Sequence, residues 1–195
     1  MWSNSIQSTT GQETQYNYKS IPIYCAPGVH EKVFDLIFQK FPQKDIRILI
    51  LGAGSGAFDE RLFSNGYENI TSIEFRPEIY KSKGKIIGLD LNNNFTEALE
   101  GEFDCIVAIE IIEHLENHFH FVRQIDKLLS ENGALYITTP NAESSLARVK
   151  FWLLGEIPCF TKQAIIDTGH INPLFINIFL YHLHNNTKLK LIKIY

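Results

Sequence analysis

The sequence contains few cysteines and no long apolar segment. Its three cysteines, Cys25, Cys105 and Cys159, are widely spaced and odd in number, which excludes a disulfide framework or a zinc knuckle and favours a reducing cytoplasm. No run approaches the ~18 apolar residues of a transmembrane segment, and residues 1–10 lack the features of a secretory signal. A net charge of -4 makes nucleic acid an unfavoured partner, because phosphate contacts need clustered Lys and Arg.

The 195 residues, 45% of them hydrophobic, are enough for one domain with a full core. Residues 1–20 are rich in Ser, Thr, Gln and Asn, so we expect a mobile N-terminal arm there. Residues 21–195 are predicted to form a single domain.

Strand and helix patterns alternate along that domain. A helix is predicted at Val29–Phe41, and helical patterns recur at Ser144–Leu154 and from Pro173 to about His184. Six apolar segments have strand character: Ile46–Gly52, Ile70–Phe75, Lys85–Leu91, Phe103–Glu110, Gly133–Pro140 and Leu189–Tyr195. This alternation predicts a Rossmann-like, doubly wound α/β sheet, mostly parallel, with helices on both faces and a ligand site beyond the carboxyl ends of the strands.

A glycine-rich turn follows the first buried strand. Gly52, Gly54 and Gly56 leave the backbone open to a ligand, and the helix after them presents free amides, which indicates a nucleotide-like ligand. Glu74 ends the second strand 22 positions after Gly52, where a carboxylate accepts hydrogen bonds from ribose hydroxyls. With Ala57 the turn also satisfies G-x-G-x-x-[GA], so these residues alone leave a nicotinamide-dependent oxidoreductase open.

Five ordered segments, ILILGAGSGAF, SIEF, GLDL, FDCIVAIEIIEHL and GALYITTPN, resemble the motifs of class I S-adenosylmethionine-dependent methyltransferases. The resemblance covers about Ile46 to Asn141. It implies S-adenosyl-L-methionine as cofactor, with its amino-acid part against the three glycines, its ribose at Glu74 and its adenine at Asp90 and Leu91. A nicotinamide enzyme would need neither Asp90 nor the IEIIEHL segment, which favours methyl transfer.

Members of this family end with an antiparallel seventh strand after a hairpin. The present sequence ends at Tyr195 with a segment that resembles the sixth strand. We therefore expect a sheet that lacks the last family strand, or a truncated chain. A non-catalytic module that binds the cofactor is a third functional class suggested by this ending.

A cluster of ionisable residues follows the fourth strand. A helical turn would place Glu110, Glu113 and His114 on one face, as catalytic residues on the reaction side of the sheet. They resemble the E-x-x-E-H that holds a divalent ion in ubiquinone-pathway O-methyltransferases and small-RNA 2′-O-methyltransferases, and His170 resembles the further ligand of the latter. The resemblance implies a site for a divalent metal such as Mg²⁺. Two alternatives need no metal: Glu113 and His114 orient a loop, or His114 acts as a general base.

The expected acceptor is a hydroxyl oxygen of a small molecule, such as a sugar or a phenol, with an RNA 2′-hydroxyl as the alternative. The stretch Ser144–Leu154 is amphipathic, with Leu146, Val149, Trp152 and Leu153 on one face and Arg148 and Lys150 elsewhere. Three interpretations remain for it: a helix packed on the core, a lid over the substrate, or a peripheral membrane contact.

Overall fold

The structure, a computed structural model, describes residues 16–195. Residues 1–15 of the predicted arm lie outside the described residues. In the described residues after position 15, β1 (Asn17–Tyr18) and β2 (Ile21–Pro22) pair as an antiparallel hairpin. The apolar Ile21 gives the hairpin a buried side chain, which a purely polar arm would lack.

Five parallel strands form the central sheet, in the order β5-β4-β3-β6-β7. They are β3 (Ile48–Leu51), β4 (Ile70–Glu74), β5 (Lys85–Gly88), β6 (Phe103–Ile109) and β7 (Leu129–Thr138). Strand order reverses between β3 and β6. The carboxyl ends of these two neighbours therefore border the crevice where ligands bind in open α/β sheets.

Four helices cover the two faces of this sheet: α1 (Val29–Lys40), α2 (Ala57–Ser64), α3 (His118–Asp126) and α6 (Ile176–Asn186). Two further described helices, α4 (Ser145–Leu154) and α5 (Lys162–Thr168), add no residue to the hydrophobic cores on these faces. Alternate side chains of β3 divide between two cores. Ile48 and Ile50 pack with residues of α1 and α2, whereas Leu49 and Leu51 pack with residues of α3 and α6. This two-sided burial explains the continuous apolar run of β3, and the predicted fold class is confirmed.

Two elements differ from the prediction. Leu189–Tyr195 is not a strand, and Ile192 within it is 83% exposed. Among the described strands β7 pairs with β6, and Leu189–Tyr195 forms no ladder with any of them, so its alternating pattern is not realised as a strand. Conversely, α5 forms in a segment between the predicted helices for which no helix was predicted, because Thr161 caps its amino end and Gly169 its carboxyl end. None of the described helices is long and apolar enough to cross a membrane.

Candidate active site

The three glycines of the turn after β3 all adopt positive φ, at 74°, 54° and 83° for Gly52, Gly54 and Gly56. Two of them also lie under a neighbouring side chain. A methyl group at Gly52 would lie 2.6 Å from Ile111 Cγ1, and one at Gly56 would lie 2.7 Å from Tyr80 Cε2. Backbone conformation and space therefore both require glycine at these two positions.

Gly54 lies beneath the ring of Tyr24. A methyl group there would be 3.5 Å from Tyr24 Cδ2, which is ordinary contact. The segment that carries Tyr24 is tied to the turn, because Ser55 Oγ donates a hydrogen bond to the carbonyl of Pro22. Tyr24 is 68% exposed, so its ring stands at the open side of the glycine turn. Sequence reasoning missed Tyr24, since nothing in the local pattern indicates that the chain returns to the glycines there.

Glu74 connects the second strand of the motif to the first. Its Oε2 accepts a hydrogen bond from the Gly54 amide at 2.8 Å, and its Oε1 accepts one from the Arg76 amide at 3.0 Å. Each carboxylate oxygen has more than one acceptor site, so both retain capacity for ribose hydroxyls. Phe75, the next residue, is 70% exposed and was also missed by the sequence analysis.

A single cleft joins most of the predicted cofactor residues. It is lined by Gly52, Glu74, Phe75, Leu89, Asp90, Leu91, Asn92, Ile111, His114 and Leu115. Asp90 is held at its wall, because Asp90 Oδ1 accepts hydrogen bonds from the amide and the side chain of Asn92 at 2.9 and 3.0 Å. Gly54 and Gly56 do not line this cleft. They shape the turn beside it, Gly54 through Glu74 and Gly56 as the N-cap of α2.

Glu110 directly follows β6 in a left-handed conformation, with φ of 48°. Thr138 holds it there: the Glu110 amide donates to Thr138 Oγ1 at 3.1 Å, and Thr138 Oγ1 donates to Glu110 Oε1 at 2.7 Å. A non-glycine residue with positive φ is strained, and such strain persists where the surroundings fix it. The carboxylate of Glu110 is thus hydrogen-bonded to the end of β7.

Glu113 is fully buried in the 3₁₀ turn Ile112–His114. Its Oε2 accepts a hydrogen bond from Thr139 Oγ1 at 3.1 Å. Its Oε1 is buried and has no hydrogen-bond partner among the described residues. Burial, with a smaller contribution from Glu110, raises the pKa of Glu113 to about 7. Successive threonines at the end of β7 therefore position the two acids, a role that sequence reasoning missed.

His114 and His170 lie edge to face, with ring centroids 4.8 Å apart. His114 Nδ1 lies 3.2 Å from the carbonyl of Gly169, and His170 Nδ1 lies 2.9 Å from the carbonyl of Cys159. A carbonyl only accepts hydrogen bonds, so both Nδ1 atoms are the donors, which leaves Nε2 as the atom that can offer a lone pair. Burial, and then the neighbouring His170, lower the pKa of His114, which favours its neutral form.

The loop that carries His170 is clamped to the turn that carries Glu113. The amides of Ile171 and Asn172 both donate to the Glu113 carbonyl, at 3.1 and 3.0 Å, and Asn172 Nδ2 donates to the Leu115 carbonyl at 3.0 Å. These bonds bring residues more than fifty positions apart into one site.

Three of the four predicted metal-site residues converge. Glu113, His114 and His170 each offer a ligand atom, and these atoms all lie within 4.8 Å of one another. Glu110 is not part of this group, and its carboxylate accepts a hydrogen bond from Thr138. His114 also lines the cleft that contains Gly52, Glu74 and Asp90, which we call the cofactor cleft because it holds residues predicted to bind the cofactor. The cluster and the cleft therefore adjoin.

The comparison with known proteins agrees with this geometry. A family model described as "Methyltransferase domain" matches residues 26–175. The chain is 32% identical over 108 residues to the ubiquinone biosynthesis O-methyltransferase of Methylocella silvestris, covering 51% of this chain and 42% of that protein. It is 30% identical over 106 residues to the Pelagibacter ubique protein of the same name, covering 51% and 44%. The matched part thus spans less than half the length of these curated relatives.

Two solved structures share the fold. One is an S-adenosylmethionine-dependent methyltransferase from Archaeoglobus fulgidus, with a TM-score of 0.58, 17% identity, and coverage of 80% of this chain and 67% of that chain. The other is the plantazolicin methyltransferase BpumL, with a TM-score of 0.57, 18% identity, and coverage of 79% and 60%. The match of the glycine turn to a nicotinamide-binding pattern therefore does not identify a dehydrogenase. Because the family model spans most of the chain, the protein belongs to the methyltransferase domain family, within the class I S-adenosylmethionine-dependent methyltransferases.

Proposed function

We propose that the chain transfers a methyl group from S-adenosylmethionine to a hydroxyl oxygen of a small-molecule acceptor. The observation that carries this proposal is the position of His114, which lines the cofactor cleft and also belongs to the cluster with Glu113 and His170. Groups that can bind or deprotonate a hydroxyl therefore stand next to the cleft.

The cofactor supplies an electrophilic methyl group on a sulfonium, so the protein has to align the acceptor and remove its proton. His114 suits the second task. Its Nδ1 is held by the Gly169 carbonyl, and the Nε2 lone pair of the neutral ring can accept the hydroxyl proton. The role proposed for Glu110 is positional, because its carboxylate fixes the end of β6 to the end of β7.

The cluster also fits a divalent ion. The buried Oε1 of Glu113 has no partner among the described residues, and the Nε2 atoms of His114 and His170 keep their lone pairs. One carboxylate oxygen and two imidazole nitrogens suit Mn²⁺ or a borderline divalent metal better than Mg²⁺, which prefers oxygen ligands. We propose these three residues as its ligands; a bound ion would make the acceptor hydroxyl more acidic.

Two observations support a small-molecule hydroxyl as the acceptor: the names of the relatives and the net charge of the chain. The ubiquinone-biosynthesis relatives are O-methyltransferases, and the net charge of -4 disfavours a long polyanion. An RNA 2′-hydroxyl is the second candidate, favoured by the presence of His170 beside Glu113 and His114. The cysteines are free thiols, which supports the cytoplasm as the proposed compartment.

The test is transfer of label from methyl-labelled S-adenosylmethionine into a fractionated cell extract. We expect label in small molecules, in a bond stable to mild alkali, and its loss in the His114→Ala variant. His120→Ala, on α3, serves as the control that retains transfer. Label mainly in RNA would support the second candidate, and label mainly in protein would contradict both. Cofactor binding with no transfer in any fraction would identify a non-catalytic module.

A further inference from the structure

Most apolar side chains of helix α4 are exposed, including Phe151 and Leu154 near the side of Ala147. Its one buried side chain is Ala147. At about 100° per residue, an arc of about 120° centred near the opposite side of the helix holds four apolar side chains: Leu146, Val149, Trp152 and Leu153. Trp152 is 82% exposed, and the other three are each more than half exposed. A helix packed on a core would bury this face, so the core-helix interpretation of the stretch is wrong.

Two cations border the apolar arc. On the same projection, Arg148 lies about 40° beyond Trp152, and Lys150 lies about 40° beyond Leu146 on the other side. The helix contains no Asp or Glu. In the described part of the chain the ion pairs are Lys19–Glu60 and Arg61–Glu31, so neither Arg148 nor Lys150 is paired with a carboxylate.

An apolar strip between two cations is complementary to an anionic lipid surface. The aliphatic stems of Arg and Lys can lie along the strip while their charged ends reach phosphates at the headgroup level. A second copy of α4 fits this face less well, because a two-fold contact would bring cations near cations and supply no carboxylate for them. The ten-residue helix is about 15 Å long, so it would lie in the interface and not cross the ~30 Å hydrocarbon core.

We propose that α4 docks this protein on membrane surfaces that contain anionic phospholipid. The helix inserts Trp152, Leu153 and their apolar neighbours between headgroups, with Arg148 and Lys150 against the phosphates. The docking surface is close in sequence to the site, since Cys159, five residues after α4 ends, holds His170 through its carbonyl. The inference does not depend on the proposed methyl transfer.

Binding is measured by co-flotation with vesicles of phosphatidylcholine alone and of phosphatidylcholine with roughly one third phosphatidylglycerol. We expect tighter binding to the anionic vesicles, and less of it at high salt. The double variant Trp152→Ser, Leu153→Ser should weaken binding about tenfold or more, because it removes the inserted apolar area. The matched control Ile192→Ser, which changes an equally exposed apolar residue elsewhere, should leave binding unchanged.

A second variant separates charge from apolar insertion. Arg148→Gln with Lys150→Gln should reduce the preference for anionic vesicles while keeping the binding to neutral ones. In a Trp2→Phe background, Trp152 becomes the sole tryptophan, and its emission should shift to shorter wavelength with anionic vesicles. Failure of the native protein to float with anionic vesicles would overturn the proposal. So would a dimer in lipid-free solution that dissociates on Trp152→Ser, because it would assign the face to a second copy.

Discussion

Glu74 Oε2 accepts a hydrogen bond from the backbone amide of Gly54 at 2.8 Å, so the acid that ends β4 fixes the glycine turn that follows β3. The same carboxylate lines the cofactor cleft. Glu74 therefore has two roles: it presents oxygens to the proposed ribose position, and it holds the turn in its left-handed conformation.

These two roles predict a graded response to substitution. Glu74→Ala removes both and should weaken binding of S-adenosylmethionine and S-adenosylhomocysteine about 100-fold, since two charge-assisted hydrogen bonds are lost. Glu74→Gln keeps an acceptor for the Gly54 amide, so its affinity for the two ligands should fall by only about tenfold. Titration calorimetry with both ligands measures the effects, with the exposed Glu78→Ala as control. Unchanged affinity in Glu74→Ala would exclude this residue from the cofactor site.

Tyr24 is expected to cover the cofactor beside Gly54. Because an aromatic face attracts a cation, its ring should favour the charged sulfonium over the neutral thioether of the product. Tyr24→Ala should therefore weaken the binding of S-adenosylmethionine about three- to tenfold and weaken the binding of S-adenosylhomocysteine less. Tyr24→Phe should keep most of the affinity for both ligands. Tyr181→Ala, an equally exposed tyrosine on α6, is the control. Equal losses for both ligands would show that the ring supplies contact area alone.

Local sequence patterns predicted the elements that depend on local chemistry. The buried run of β3, the glycines after it and Glu74 at the end of β4 are all where the sequence indicated, since strand burial, positive φ and strand-end position each leave a local signal. Tyr24 and Thr139 were missed because their roles depend on which distant segments meet. No spacing rule connects Thr139 with Glu113, although the two are hydrogen-bonded.

The difference between local signals and long-range contacts also explains why the predictions for Glu110 and for Leu189–Tyr195 differ from the structure. The i, i+3, i+4 spacing placed Glu110 with Glu113 and His114, but a left-handed residue at position 110 breaks the helical geometry that the spacing assumes. For Leu189–Tyr195 the alternating pattern favours a strand, but strand formation also needs a neighbour to pair with, which a single-sequence pattern does not contain.

Removal of divalent metal should abolish turnover and leave cofactor affinity nearly unchanged, because the proposed ion would act on the acceptor hydroxyl and not on the sulfonium. Glu113→Ala should reproduce this pattern and lower Mn²⁺ affinity at least tenfold, as measured by the paramagnetic resonance of the free ion. Glu110→Gln is the matched comparison. It should lower Mn²⁺ affinity much less, since Glu110 does not belong to the cluster of Glu113, His114 and His170. Full activity in chelator, with loss in His114→Ala, would leave His114 as a metal-free base.

The last prediction concerns stability and pH. His30 lies in the first turn of α1, buried edge to face against Phe58 with ring centroids 5.1 Å apart. Burial, and then the nearby Arg61, lower the pKa of His30 to about 4. In the unfolded chain the pKa returns to about 6.5, so between these values the unfolded state binds more protons than the folded state.

The contribution of His30 to the free energy of unfolding is therefore fully present above pH 6.5. It declines as the pH falls toward 4 and does not change further below that pH. At pH 5 the loss should be about 2 kcal/mol of unfolding free energy. Urea unfolding at pH 7.5 and pH 5 measures it. His30→Leu should show a smaller difference between the two pH values than the native protein, because its side chain no longer titrates. The exposed His184→Leu should keep the native difference. Equal pH dependence in native protein and His30→Leu would mean that other groups, His114 and His118 among them, account for the acid sensitivity.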